Sequence, residues 1–183
     1  MDYQAIIDKY YPADDALRRV LLQHSQQVAN RCLTFVRKHK ELPVDVEFLE
    51  EAAMLHDIGI FRCNAPSIHC HGTEPYIRHG IIGGELLRSL STPTSPLERF
   101  ARVCERHTGT GLTREEIERQ HLPLPIQDFL PETLEEQLVC YADKFYSKSH
   151  PDRVLTVAET AQSLEKFGAD GVRKFLEWAV RFE

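Results

Sequence analysis

The sequence predicts an all-α fold, a single-domain helical bundle. Three observations support it: apolar residues recur at helical spacing in several stretches, two Thr-x-x-Glu motifs mark helix starts, and no stretch shows the sustained period-two alternation of a half-buried strand. A length of 183 residues, with 42% hydrophobic and 27% charged residues, suits one globular domain with a sizeable core. We therefore expect residues 1–183 to form one domain.

The first half of the chain contains two predicted helices and a long loop. The Asp14-Asp15 pair caps a helix from Ala16 to about His39, and a second helix runs from Val44 to His56. Gly59 suits the left-handed conformation that often follows a helix end. Residues 60–78 show no period, which predicts a long ordered loop of the kind that often has a function.

The chain from residue 79 onward contains six further predicted helices. Capping boxes, apolar spacing and turn residues such as Gly168 define them. They comprise residues 79–90, about 97–107, two helices that begin at Thr113 and Thr133, about 154–167, and 169–182.

Charge and composition exclude several classes of protein. The chain has 28 acidic and 22 basic residues, a net charge of -6 and no basic block, so we do not expect extended nucleic-acid binding. The amino terminus does not resemble a signal peptide, and no apolar run approaches the ~18 residues of a membrane span. We expect a soluble cytoplasmic protein whose five cysteines, which form no C-x-x-C pair, are free thiols.

Histidines and aspartates near predicted helix ends are candidate metal ligands. A divalent ion binds neutral imidazole nitrogens and carboxylate oxygens, and side chains on facing helices of a bundle often supply them. Any one such histidine taken alone is more often hydrogen-bonded or solvated than a ligand. The candidates are His24, His56, Asp57, His79, His107 and Asp143.

The order of these residues resembles the HD superfamily of metal-dependent phosphohydrolases. That superfamily has a lone histidine, a His-Asp pair and a distant aspartate, which His24, His56-Asp57 and Asp143 match in order. Residues 56–59 are similar to its HDIG variant, and residues 142–147 resemble its A-D-x-x-x-S segment. The resemblance spans about residues 20–150, which it implies to be a metal-binding core on which the C-terminal helices pack.

Two further segments resemble the branch that includes the HD-GYP phosphodiesterases. Residues 79–87 are similar to its H-x-x-x-G-x-x-L-L helix, and Glu105-Arg106-His107 is similar to a segment that supplies another ligand. No GYP tripeptide occurs, so cyclic-dinucleotide specificity is not implied. The resemblance implies one ion held by His24, His56, Asp57 and Asp143, with Asp57 bridging to a second ion at His79 and His107.

The resemblance also implies how catalysis would work. Bound ions would lower the pKa of water towards about 7 and hold phosphate oxygens. Among Lys144, Arg78, Arg62 and Lys148, we select Lys144 as the cation that offsets phosphate charge. His71, or the nearby His69, could orient substrate, protonate a leaving group or supply a further ligand. The predicted catalytic residues are therefore Asp57, Lys144 and His71.

The function implied is hydrolysis of a phosphomonoester or phosphodiester in a nucleotide or related small molecule. One or two divalent ions would be the cofactor, with Fe, Mn, Zn, Ni, Co and Mg all open. The alternatives are a catalytically silent HD-like module that binds a nucleotide or partner for regulation, and a structural metal site that unfolds on chelation. The sequence indicates no membrane partner and leaves a homodimer open.

Overall fold

The computed structural model describes residues 1–183 and confirms the all-α class. Nine α-helices are joined by short 3₁₀ turns and two small antiparallel hairpins. The helices are α1 (Tyr3–Tyr10), α2 (Ala16–Lys38), α3 (Val46–Leu55), α4 (His79–Leu90), α5 (Glu98–Arg106), α6 (Arg114–Arg119), α7 (Leu134–Asp143), α8 (Val157–Leu164) and α9 (Ala169–Phe182). The hairpins pair β1 (Asn64–Ala65) with β2 (Cys70–His71) and β3 (Tyr146–Ser147) with β4 (His150–Val154).

Side-chain caps explain where several helices begin. Asp15 accepts a hydrogen bond from the Arg18 amide at 2.9 Å, which satisfies one of the free N–H groups at the start of α2. Thr113 and Thr133 each form a complete capping box with the glutamate three residues later, which confirms the predicted starts of α6 and α7. Thr156 forms a third box at α8, so this helix begins at Val157 rather than at Val154.

The core lies between α2, α3, α5 and α7 and extends to the C-terminal helix. α2 packs against α3 and α7, while α4 packs against α5. Tyr141 on α7 places its ring centroid 5.0 Å from that of Phe175 and 5.5 Å from that of Phe182, both on α9. One cluster of 33 buried apolar residues includes all three of these side chains. α9 therefore packs on the same core as the helices that carry the candidate ligands.

Gly59 corrects an expectation from the sequence. Its φ of -84° and ψ of -6° are right-handed helical values, so the expected left-handed conformation is wrong. A Cβ atom at this position would lie 2.3 Å from the His79 carbonyl oxygen and 2.5 Å from the Gly83 amide nitrogen, both impossible contacts. The glycine is needed because α4 packs directly against the turn that follows α3.

The segment after α7 is the second correction. Residues 150–154 form strand β4, so the helix predicted to begin near Val154 starts only after this strand. Pro151 lies within β4, and its carbonyl oxygen accepts a hydrogen bond of 2.8 Å from Gln27 Nε2 on α2. This contact attaches the hairpin to the bundle, and the turn between its strands contains Lys148.

The N-terminal helix α1 was not predicted. Tyr11, which follows it, is buried, and its hydroxyl donates a hydrogen bond of 2.9 Å to the Ile58 carbonyl oxygen in the turn after α3.

None of the nine helices combines the length and apolar character that crossing a membrane requires. All five cysteines are buried and free.

Candidate metal centre

The structure brings together all six candidate ligands from five separate helices. They lie at or next to helix ends, except for one in the middle of α2, and each is no more than 9% exposed. Their donor atoms fall into two groups, in each of which all donors lie within 4.8 Å of one another. The first donor group comprises His24, His56, Asp57 and Asp143, and the second donor group comprises Asp57, His79 and His107.

Asp57 belongs to both groups through different oxygen atoms. Its Oδ2 lies 3.2 Å from His24 Nε2 and 3.1 Å from His56 Nε2. Its Oδ1 lies 3.5 Å from both His79 Nε2 and His107 Nε2. The carboxylate is fully buried, and its polar neighbours are these four imidazoles and the Lys148 ammonium, which lies 2.6 Å from Oδ2. This division of oxygens is the arrangement that a carboxylate bridging two cations needs.

Three of the histidines are oriented by the helix end beside them. The Nδ1–H groups of His56, His79 and His107 each donate a hydrogen bond of 2.7 Å to the carbonyl oxygen three residues earlier. A carbonyl can only accept, so in the neutral ring the proton lies on Nδ1 and the Nε2 lone pair faces the other donors, where a cation could bind. His24 differs, because its buried Nδ1 has no hydrogen-bond partner.

The second donor group fits a metal ion on the evidence of its own geometry. The Nε2 atoms of His79 and His107 lie 2.9 Å apart, although the Nδ1 bonds leave both with lone pairs. Burial lowers the pKa of His79 to about 3, and burial also lowers the pKa of His107. Two neutral lone pairs that face each other at this distance repel, and a cation shared between them would relieve that repulsion.

The first donor group attracts positive charge. Burial opposes a charge on His56, but Asp57 and Asp143 together raise its pKa to about 9. Burial likewise acts to raise the pKa of both aspartates, yet the neighbouring lysines and histidines hold them well below their usual range. The group therefore presents two ionised carboxylates to any bound cation.

Two lysines contact these carboxylates in different ways. The Lys144 ammonium donates to the His107 carbonyl oxygen at 2.9 Å and to Asp143 Oδ2 at 2.5 Å, so two acceptors hold it in place. Lys148 Nζ lies 2.6 Å from Asp57 Oδ2, and Asp57 and Tyr76 hold its pKa above the usual value despite burial. Lys148, which the sequence ranked below Lys144, is thus the lysine beside the carboxylate that the two donor groups share.

The other cations and histidines considered from the sequence lie outside both donor groups. His69 and His71 are exposed, and His69 has a left-handed φ of 61° at the turn of the first hairpin. Arg78 pairs with Glu74 at 3.2 Å, and Arg62 is exposed. A catalytic role for His71 therefore has no support from a contact with the candidate ligands.

A partly enclosed cleft of about 470 Å³ leads to the first donor group. Its inner wall includes Asp143, Lys144 and Lys148. The turn at residues 108–111 forms a second wall, and residues from the C-terminal segment form a third. A volume within the ~300–1,000 Å³ of typical small-molecule sites indicates room for a compact ligand beside the metal centre.

A helical bundle with buried histidines and aspartates converging from several helices defines a class of candidate metal-binding proteins. The model of the HD domain family matches residues 21–147, which include all six candidate ligands. The chain belongs to the HD domain family. No solved structure matches it.

Three curated relatives extend the comparison. An uncharacterised protein of Methanocaldococcus jannaschii is 41% identical over 111 residues, 61% of this chain and 56% of that protein. A tRNA (cytidine(56)-2'-O)-methyltransferase of Picrophilus torridus is 31% identical over 86% of this chain and 42% of that protein. Its counterpart in Thermoplasma volcanium is 25% identical over 82% of this chain and 38% of that protein. The chain thus spans about half the length of these relatives, or less.

Proposed function

We propose that the protein is a metal-dependent phosphohydrolase that cleaves a small phosphate ester. The observation that carries this proposal is the position of Asp57, whose two carboxylate oxygens face two separate sets of imidazoles. Pairs of divalent ions that share a carboxylate are typical of enzymes that cleave phosphate esters. The donor set suits Fe, Mn, Zn, Ni or Co, with Mg the least suited to so many nitrogens.

The protein side chains and the bound ions would have different roles in catalysis. Bound divalent ions lower the pKa of water towards about 7 and polarise phosphoryl oxygens. His24, His56, Asp57 and Asp143 would hold the first ion, and Asp57, His79 and His107 the second. Asp57 would fix the spacing between the two groups, because each of its oxygens faces a different one.

Lys148 is our candidate for binding the phosphate. It lines the cleft and is charged, and its contact with Asp57 Oδ2 is an ion pair that can be exchanged for a phosphate oxygen. Lys144 is held between Asp143 and the His107 carbonyl oxygen, so we assign it to positioning Asp143 rather than to binding substrate. We assign no contact with the ions to His71, because its side chain is exposed and outside both donor groups, so its catalytic role stays a prediction from the sequence.

The cleft favours a small substrate over a polymer. Its volume of about 470 Å³ and its partly enclosed form suit a mononucleotide-sized phosphate ester. The net charge of -6 gives no broad attraction to nucleic acid. We therefore propose a nucleotide or a related small phosphate ester as substrate.

The names of two relatives describe a different reaction, methylation of tRNA. The matched regions form 42% and 38% of those proteins, which leaves most of each chain outside the similarity. Methyl transfer to a ribose hydroxyl needs a methyl donor and a base, whereas the donor set here is suited to metal-assisted hydrolysis. We propose that this region is a separate module in those relatives.

Metal reconstitution combined with a phosphate-release screen tests the proposed function. The chelated protein is supplied in turn with manganese, iron, cobalt, nickel, zinc or magnesium and offered nucleoside monophosphates, p-nitrophenyl phosphate and cyclic nucleotides. Phosphate release is measured for the monoesters, and formation of the nucleoside monophosphate is measured by chromatography for the cyclic nucleotides. We expect at least one metal to support turnover in the wild type and not in Asp57→Asn. Metal binding to the wild type without turnover of any ester would contradict the proposal and favour a regulatory module.

A further inference from the structure

The C-terminal segment forms one wall of the cleft beside the candidate metal centre. The cleft is lined by Lys148 and Asp143 and also by Leu164, Phe167 and Gly171 from the C-terminal segment. The HD domain family match ends at residue 147, so these last residues lie outside it. The family's shared region therefore contains the candidate ligands, whereas this wall is supplied by the rest of the chain.

Phe167 is the large exposed aromatic side chain on this wall. It is 57% exposed, although it lines a partly enclosed cleft, and it ends the 3₁₀ turn at Glu165–Phe167. Gly168 follows with φ of +117°, a conformation that favours glycine, and redirects the chain into α9. This turn holds a flat apolar ring at the cleft instead of within the core.

The neighbours of Phe167 in the cleft combine apolar and hydrogen-bonding side chains. Leu122 and Leu164 supply apolar surface, while Gln120 and Ser163 supply amide and hydroxyl groups. A heteroaromatic base needs this combination, because its faces stack on apolar or aromatic surface while its edges form hydrogen bonds.

We propose that Phe167 determines substrate specificity by stacking on the base of a nucleoside monophosphate whose phosphate lies at Lys148. The inference rests on the proposed phosphohydrolase function and adds the substrate class and the residue that selects it. The phosphate is recognised at Lys148, directly after the residues that the family model matches, and the base is recognised by Phe167 in the C-terminal segment. Stacking of a base on an aromatic side chain contributes enough affinity for its loss to be measured.

Steady-state kinetics with two kinds of phosphomonoester test this proposal. The substrates are AMP, GMP, CMP and UMP, which carry a base, and glycerol 3-phosphate, which does not. Loss of one stacked base corresponds to about a tenfold weakening. We expect Phe167→Ala to raise KM for at least one nucleotide by about tenfold and to leave KM for glycerol 3-phosphate unchanged, and we expect Phe167→Tyr to resemble the wild type.

Val180→Ala provides the matched control. Val180 is 90% exposed on α9 and lies outside the cleft, so its truncation removes apolar surface from the same C-terminal segment without touching the wall. We expect wild-type kinetics for every substrate. An equal rise of KM for nucleotides and glycerol 3-phosphate in Phe167→Ala, or no rise for either, would overturn the assignment of Phe167.

Calorimetric titration of the metal-loaded protein with AMP, GMP, CMP and UMP separates this inference from the proposed function. If Phe167→Ala binds the nucleotides more weakly than the wild type but no ester is turned over, the proposed hydrolase activity is refuted and base stacking on Phe167 is supported. If glycerol 3-phosphate is turned over and the wild type and Phe167→Ala bind the nucleotides equally well, the proposed hydrolase activity is supported and base stacking on Phe167 is refuted. If the wild type bound none of the four nucleotides, base stacking on Phe167 would also be refuted.

Discussion

The two donor groups share Asp57 but differ in charge. The first group has two carboxylates, from Asp57 and Asp143, and each of them contacts a lysine. The second group has only the shared carboxylate and two imidazoles, which burial keeps neutral. Affinity for a cation rises with the number of charged ligands. From this difference we predict that the first group would bind a divalent ion more tightly than the second group.

The two groups also differ in how the fold holds them. The second group depends on the close approach of α4 to the turn after α3, which only a glycine at position 59 permits. The first group depends on α2 and α7, and His24 lies within α2 rather than at its end. A change at Asp57 should therefore affect metal binding by both groups, whereas a change at another ligand should affect metal binding by only one group.

Asp57→Asn should have the largest effect. An amide has one oxygen and carries no charge, so it cannot present an anionic oxygen to each donor group. We expect the content of both ions to fall and phosphate release to drop by at least about a hundredfold, beyond the 10–100-fold typical of changes around metal ligands. Metal analysis and steady-state kinetics measure the two effects.

Asp152→Asn is the control for this substitution, because Asp152 is exposed and belongs to neither donor group. It should retain wild-type metal content and activity. If Asp57→Asn kept either ion at wild-type affinity, the shared role of this carboxylate would be refuted.

His79→Ala should weaken metal binding in the second donor group only. It removes one imidazole from the second group and leaves the four first-group residues intact. We expect the variant to retain one ion of two and to lose most of its activity, while His56→Ala should instead weaken the first ion. Metal titration followed by elemental analysis gives the stoichiometry.

His39→Ala controls for the loss of a histidine, since His39 lies at the end of α2 and its ring contacts Glu41 at 3.2 Å. Its metal stoichiometry should match that of the wild type. Loss of both ions in His79→Ala would show that the groups cannot be occupied independently.

Lys148→Met should affect substrate more than metal. Removal of a cation beside Asp57 leaves the candidate ligands in place but removes the charge proposed to bind phosphate. We expect kcat/KM to fall by about tenfold to a hundredfold, as for the loss of a charge-assisted hydrogen bond. Metal content should be unchanged or higher, because the competing positive charge is gone.

Lys144→Met is the informative comparison, because Lys144 is held between Asp143 and the His107 carbonyl oxygen. We expect it to affect metal content more than Lys148→Met does. A larger rise in KM for Lys144→Met would return the phosphate-binding role to Lys144.

Thr133→Ala should have the smallest effect. Thr133 caps α7, the helix that ends at Asp143, and loss of such a cap costs about 1 kcal/mol in the free energy of unfolding. The ligand lies at the opposite end of the helix, so metal stoichiometry should not change. Denaturant unfolding measures the cost, with Thr113→Ala on α6, which carries no candidate ligand, as the matched cap.

Much of the helical fold could be predicted from local signals. Capping boxes at Thr113 and Thr133 and the apolar spacing of α2 and α4 fix helix positions through short-range contacts. α1 has only 8 residues, so its local pattern is brief and its stability depends on packing. The β3–β4 hairpin depends on a contact with α2, which the local sequence does not encode.

Part of the candidate site could also be predicted from the sequence. The order of histidines and aspartates identified the six donors through a family resemblance, and the structure brings them together. The sequence could not show that Lys148, on a hairpin turn, reaches Asp57 while Lys144 points to the His107 carbonyl oxygen. The role of Gly59 was equally hidden, because it depends on how closely another helix approaches.

Location of the ions by anomalous X-ray scattering from metal-loaded crystals is the most direct test of the account. We expect two ions, one in each donor group, each within about 2.0–2.6 Å of a different oxygen of Asp57. The His79→Ala crystal should keep only the ion in the first group. A single ion, or two ions of which only one contacts Asp57, would contradict the central claim that this carboxylate joins two metal sites.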